Sequence, residues 1–343
     1  VINSVNVGKG TNNVLSNTCL GVTALNVATG ERNTAIGYQA LEVLSTGVDN
    51  TAVGLEAGES ITTGSYNNAS GAYALRENIN GSHNVAIGRT AIQYMTGGQR
   101  NTAVGSVALR ELQADTNDNT AIGYDSLGDC TTGSQNTGVG GYSASSTTTG
   151  GLNTAIGYQA LLYNLSGDKN TAIGRRAGFN TTGDKNTYLG EFAGGNATSG
   201  DNNVCLGHNA QKSAVDAGGE FVLGSSNIST LRCNTQTISA LSDRRDKTNI
   251  IDLPQGLDFI NALRPVKFQW QTRDGNNKDG LYEHGFIAQD LQIAEQNNNA
   301  EYLNMVLTTN PDRLEASYGK LVPILVKAVQ ELTIKLNTFI KNG

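Results

Sequence analysis

Side chains able to do chemistry are thinly spread along these 343 residues, and most lack the neighbours that chemistry needs. His83, His208 and His284 stand far apart with no Cys or carboxylate at ligand spacing, so neither a metal site nor a cofactor is expected. Cys19, Cys130, Cys205 and Cys233 form neither a CxxC pair nor a dense disulfide framework, and they read as small buried residues. No pair of carboxylates stands in the context that glycoside hydrolysis requires. Tyr38, Tyr124 and Tyr158 share one position of a repeat, where they either pack against neighbouring coils or form an exposed column for a glycan ring. The densest run is Leu241-Ser242-Asp243-Arg244-Arg245-Asp246-Lys247-Thr248-Asn249-Ile250. Taken alone, its Ser-Asp step reads as a cap or turn among solvated basic side chains.

That run lies on a compositional boundary. All four prolines and the single Trp follow residue 242, whereas 36 of the 42 glycines precede Asp243. Residues 1–242 carry 12 Lys/Arg and 17 Asp/Glu, about 12% charged, and residues 243–343 carry 12 and 13, about 25%. A low-charge repetitive structure therefore precedes an ordinary globular or helical module. The net charge of −6, without a Lys/Arg run, gives no electrostatic footprint for nucleic acid or an anionic membrane. No apolar stretch is long enough to span a bilayer, so no membrane insertion is expected. The chain starts at Val1 without a basic-then-apolar leader and is read as part of a longer polypeptide.

The first part is a tandem repeat. The cassette Asn-Thr-Ala-Ile-Gly-Tyr-Gln-Ala-Leu occurs at Asn33 and again at Asn153, and relatives begin at Asn17, Asn50, Asn67, Asn84, Asn101, Asn119, Asn136, Asn170, Asn186, Asn203 and Glu220. Steps of 16 to 18 residues mean one coil per repeat. The fifth residue is always Gly, from Gly21 to Gly224, as expected where a Cβ would be forbidden. The fourth is Leu, Ile or Val except at Ser70, and the third is usually Ala, an alternation that predicts a strand with one packed face. A later Gly, as at Gly47, Gly64, Gly133, Gly167, Gly183 and Gly200, predicts a second corner, so each repeat is expected to run strand, turn, strand, turn. Stacked coils would align the Asn residues into an amide ladder. One apolar seam per coil cannot enclose a triangular prism. The fourth-position residues are therefore expected to line a core shared by three chains, in a shaft of roughly 60 Å at about 4.8 Å per strand.

The Asn-Thr-Ala-Ile-Gly cassette resembles the head repeats of trimeric autotransporter adhesins and, more closely, those of phage tail-fibre proteins, over about residues 17–224. The run from Leu241 to Ile250 resembles the start of the C-terminal intramolecular chaperone of phage endosialidases and tail fibres. Three further blocks follow in order: Leu257-Asp258-Phe259-Ile260 with Arg264-Pro265-Val266-Lys267-Phe268, then Gly285-Phe286-Ile287-Ala288-Gln289-Asp290, then Tyr318 to Leu332. The resemblance implies a module that trimerises, assists assembly of the β-structured stalk and then cuts itself off through a Ser-Lys dyad. Ser242 would be the nucleophile, Lys247 the general base, and Ser242–Asp243 the scissile bond. A free lysine is neutral at pH 7 roughly once in 2,500 molecules, so such a base needs burial or a cationic neighbour, a part Arg244 and Arg245 are placed to play. Asp246, where the family leads one to expect Leu, puts a carboxylate beside Lys247 and favours the charged amine.

The last segment predicts a helix over 321–341, with Pro323 near its start. Val322, Leu325, Val329, Leu332, Leu336 and Phe339 are spaced as an a/d seam, expected to form a trimeric coiled coil. The fold class is thus mostly β: a homotrimeric parallel β-roll of about 17-residue repeats, followed by a small α+β chaperone domain. The boundaries are an N-terminal lead-in (1–16), the shaft (17–229), a transition (230–242) and the chaperone (243–343). The leading function is a virion tail-fibre segment that attaches to a host receptor, a glycan or outer-membrane component, alongside other tail proteins. At most it is a single-turnover autoprotease, with no activity on external substrates expected. A tailspike enzyme degrading surface polysaccharide and a bacterial trimeric surface adhesin are the alternatives.

Overall fold

The computed structural model describes residues 6–10, 12–113, 116–228, 230–232, 242–271 and 279–342. It divides into two compact units, Val1–Ser225 and Ser226–Gly343. Cys233 lies outside the described residues.

The first unit is a β-solenoid whose coils each contribute one short strand to a single sheet of fourteen. From Thr18–Gly21 to Phe221–Leu223 the strands pair in parallel, with equivalent residues aligned, as in Thr34↔Thr51, Ala35↔Ala52 and Ile36↔Val53. Asn6–Gly8 adds an antiparallel strand beside Thr18–Gly21. The asparagine ladder is present and does two jobs. Asn33 Oδ1 accepts the backbone N–H of Asn50 at 2.9 Å, while Asn33 Nδ2 donates to the carbonyl of Gly47 at 2.9 Å. Each amide thereby ties the start of the next strand to the second corner of its own coil, and Asn17 through Asn203 are buried. The ladder ends where Glu220 N–H donates to Asn203 Oδ1.

The fixed glycines have a double cause. Gly123 has φ +136°, and a Cβ there would stand 2.5 Å from the carbonyl oxygen of Gly140 in the next coil. Left-handed backbone is a cost for other residues, yet the rest of the coil uses it freely. Gln39 and Leu41, and their equivalents such as Asp125 and Leu127, have φ near +50°. These residues replace the expected second strand with a tight series of turns. Their backbone groups are bonded coil to coil, as Leu41 N–H to Ala57 C=O at 3.1 Å, and this holds a conformation that single residues would avoid.

Each chain also closes a core of its own, which the single apolar seam read from the sequence leaves out. Third-position alanines (Ala35, Ala52, Ala86), eighth-position alanines (Ala40, Ala57) and ninth-position leucines (Leu41, Leu75, Leu109) close a buried column within the single chain. The third residue faces inward, so strand alternation turns the fourth outward. Leu20, Ile36, Val53, Ile87, Ile122, Ile156, Ile173, Leu189 and Leu223 are 37 to 49% exposed, an apolar column on the outside of the shaft interrupted at Ser70. The alternation marks the strand and its outer apolar face, and the structure adds the inner face that packs within the chain. Cys19, Cys130 and Cys205 are buried thiols in this core.

Volume is exchanged between coils where the repeat departs from its pattern. Tyr188 takes a third position normally held by Ala and is fully buried. Gly178 and Gly194 occupy ninth positions normally held by Leu, and a Cβ on Gly194 would lie 2.2 Å from the Tyr188 ring. Gly138 similarly leaves room for Ser126 and Ser143, whose hydroxyls hydrogen-bond at 2.7 Å.

The second unit contains helices α1 (Leu257–Ala262), α2 (Ala288–Asn297) and α3 (Leu321–Asn342), with strand pairs Val266–Gln269/Tyr282–Gly285 and Val306–Leu307/Glu315–Ala316. Phe259, Leu291, Met305, Leu321 and Ile324 form its core. Glu331 of α3 accepts the N–H of Leu257 at 2.8 Å, placing a carboxylate at the start of α1.

Candidate functional site at the start of the C-terminal module

Ser242 and Lys247 are five residues apart, too far to meet in an extended chain. A single 3-10 turn, Arg244–Asp246, brings them together. Asp243 caps it by accepting the N–H of Arg245 on Oδ1 at 2.9 Å, and the N–H of Lys247 closes it on the carbonyl of Arg244 at 3.2 Å. Lys247 Nζ then lies 2.6 Å from Ser242 Oγ and donates to it. The pair sits within hydrogen-bond reach in one chain, and Ser242, Asp243 and Lys247 are all exposed.

The cap reading and the dyad reading of this run therefore describe one structure. The Asp243 cap is what bends Lys247 back to Ser242. Arg245 departs from the part the sequence suggested for it. Its Nε and Nη2 grip the Asp243 carboxylate, with Nη2 to Oδ2 at 2.6 Å. The Arg245 side chain, helped by its own backbone N–H, holds the Asp243 carboxyl below the usual range. Its charge is thus spent on Asp243. Among the described residues no carboxylate, Asp246 included, forms an ion pair with Lys247.

The blocks that suggested the module also meet in space. Gly285 packs under Tyr318, where a Cβ would stand 2.6 Å from the phenolic oxygen. That oxygen accepts the N–H of Phe286 at 3.1 Å, and the Phe286 and Tyr318 rings are 5.6 Å apart. Phe259 of the second block joins Leu321 and Ile324 of the last.

Residues 242–298 match the chaperone of endosialidase family. The match begins at Ser242 and takes in the capped turn, α1, the first strand pair and α2. Together with the β-solenoid before it, this makes the chain tail-fibre-like, with a C-terminal intramolecular chaperone module. The block from Tyr318 to Leu332 lies beyond the matched residues and is joined to them by the Phe286–Tyr318 contact. No curated protein and no solved structure matches the chain.

On α3 the predicted seam is an exposed stripe. Val322, Leu325, Val329, Leu332, Leu336 and Phe339 are 46 to 77% exposed, while Leu321, Ile324 and Ala328 form the buried stripe against the module's core. On the shaft, Tyr38, Tyr124 and Tyr158 are about half exposed. Tyr142 stands edge-on between two of them, 5.3 Å from Tyr124 and 6.0 Å from Tyr158.

Proposed function

We propose that the chain is a segment of a homotrimeric phage tail fibre, carried on the virion and used in host attachment. The chaperone module drives trimer assembly and then releases itself by autoproteolysis at Ser242–Asp243, with Ser242 as nucleophile and Lys247 as general base. The observation that carries the assembly reading is the pair of uncovered apolar stripes, one on the shaft and one on α3. Exposed apolar surface of this kind marks an interface, and association of three copies would cover each stripe with a closed symmetry. The α3 stripe has the heptad spacing of a coiled coil. The tyrosines at 38, 124 and 158 give the shaft an aromatic surface suited to a glycan receptor.

The autoproteolytic reading is supported by the 2.6 Å contact of Lys247 with Ser242 in a segment where the family match begins. Native mass measured beside denatured mass tests both halves. A native mass of three chains, with denatured fragments ending at Ser242 and beginning at Asp243, is expected. A stable monomer would remove the assembly reading. An intact chain within a trimer would remove the autoproteolytic one.

A further inference from the structure

The bond assigned to the dyad is formed by the carbonyl of Ser242 itself. Within one residue, Oγ, Cβ, Cα and the carbonyl carbon are consecutive atoms. Attack by Oγ on that carbonyl would close a four-membered β-lactone, with the oxygen held away from the aligned approach that nucleophilic attack needs. We propose that the Ser242–Lys247 dyad of one chain cuts the Ser242–Asp243 bond of a second copy of the chain.

The inference rests on the reading of Ser242 as nucleophile, and three features carry it. Nucleophile and base are already joined within one chain, Lys247 Nζ to Ser242 Oγ at 2.6 Å, so the second copy need supply only the bond to be cut. Ser242, Asp243 and Lys247 are exposed, so another chain can reach them. The Asp243 carboxylate is held by Arg245 of its own turn, which leaves Lys247 to Ser242.

The step balances as follows. Once the second copy packs over the exposed pair, burial favours the neutral amine of Lys247, which takes the Ser242 hydroxyl proton while Oγ bonds to the carbonyl carbon of Ser242 in the neighbouring chain. The C–N bond to Asp243 of that chain breaks, and its nitrogen takes the proton from Lys247 and leaves as an amine. Water activated by Lys247 then hydrolyses the ester, restoring the hydroxyl and leaving a carboxylate on the cut chain. One water is consumed per bond. Cleavage then requires assembly, and the module stays attached until copies have met.

Mixed trimers test this. Chains carrying Ser242→Ala, or separately Lys247→Ala, and an N-terminal mass tag are co-expressed with untagged wild type. Mixed trimers are isolated by the tag and weighed after denaturation. Both tagged variants should be cut before Asp243 when wild type is present and stay whole alone. Co-expressing the two variants without wild type should give no cut, because neither chain holds a complete dyad. Tagged Ser242→Ala chains that stay whole in trimers whose wild-type chains are cut would overturn the proposal in favour of action within a chain. A fragment beginning at Ser242 would overturn it too, since the preceding carbonyl is reachable from the same residue through a five-membered ring. Wild-type trimers that remain uncut would overturn the nucleophile reading itself, an outcome distinct from the other two.

Discussion

Asn136 Oδ1 accepts the backbone N–H of Asn153 at 2.9 Å, and Asn136 Nδ2 donates to the carbonyl of Gly150 at 2.8 Å. One buried side chain thus satisfies a donor in the following coil and an acceptor in its own. Asn136→Ala orphans both, and at roughly 1–3 kcal/mol for each unsatisfied buried group it should lower stability by about 2 kcal/mol or more. Denaturant unfolding of the shaft checks this. A loss no larger than that of an exposed Asn196→Ala control would mean that the ladder is not a stabilising element.

Tyr188 and the paired glycines predict a compensated exchange. Tyr188→Ala should cost about 3–5 kcal/mol by opening a cavity. Adding Gly194→Leu should recover part of that loss, because Leu already occupies the same left-handed position at Leu161. Gly194→Leu alone should be worse than either, since it drives a side chain into the ring. Thermal unfolding of the three variants measures the coupling; simple additivity would show that the volumes are independent.

The two stripes of α3 should respond differently to charge. Leu332→Asp lies on the exposed stripe and should abolish the trimer while the isolated module keeps its helical circular-dichroism signal. Ile324→Asp lies in the core and should unfold the module itself. Sedimentation and circular dichroism separate the two. Trimers that persist with Leu332→Asp would exclude this stripe as the seam.

Deleting residues 243–343 before synthesis should leave the shaft insoluble or monomeric, because parallel pairing among long-range segments is slow and exposes edges while it waits. Soluble trimers of the shortened chain, seen by sedimentation, would deny the module its chaperone role.

The core thiols set an alkaline limit. Burial pushes Cys130 up to about 12 and Cys205 up to about 11, from 9.0. A group whose folded pKa is raised contributes stability that is complete below its unfolded value and is lost as pH climbs towards the folded one. The shaft should therefore weaken between pH 9 and about 12. Cys130→Ala should flatten that decline in denaturant melts at pH 8 and 10.5, and an unchanged slope would assign the alkaline loss elsewhere.

The sequence alone determined what repeats along the chain. The 17-residue step, the invariant glycine, the aligned asparagines and the Leu241–Ile250 run are local or strictly periodic, so they are visible without a partner. Tertiary structure decided what faces what. Alternation in Thr-Ala-Ile announces two faces, yet which one is closed depends on Ala40 and Leu41 folding back onto Ala35, and that path runs through left-handed residues that no non-glycine sequence signal marks. The fit of Tyr188 to Gly194 and the grip of Arg245 on Asp243 were equally hidden, because volume and charge are matched only once the backbone has brought their owners together. The spacing on α3 showed an apolar seam, but only the packed module shows that a second stripe fills the core and leaves the first uncovered.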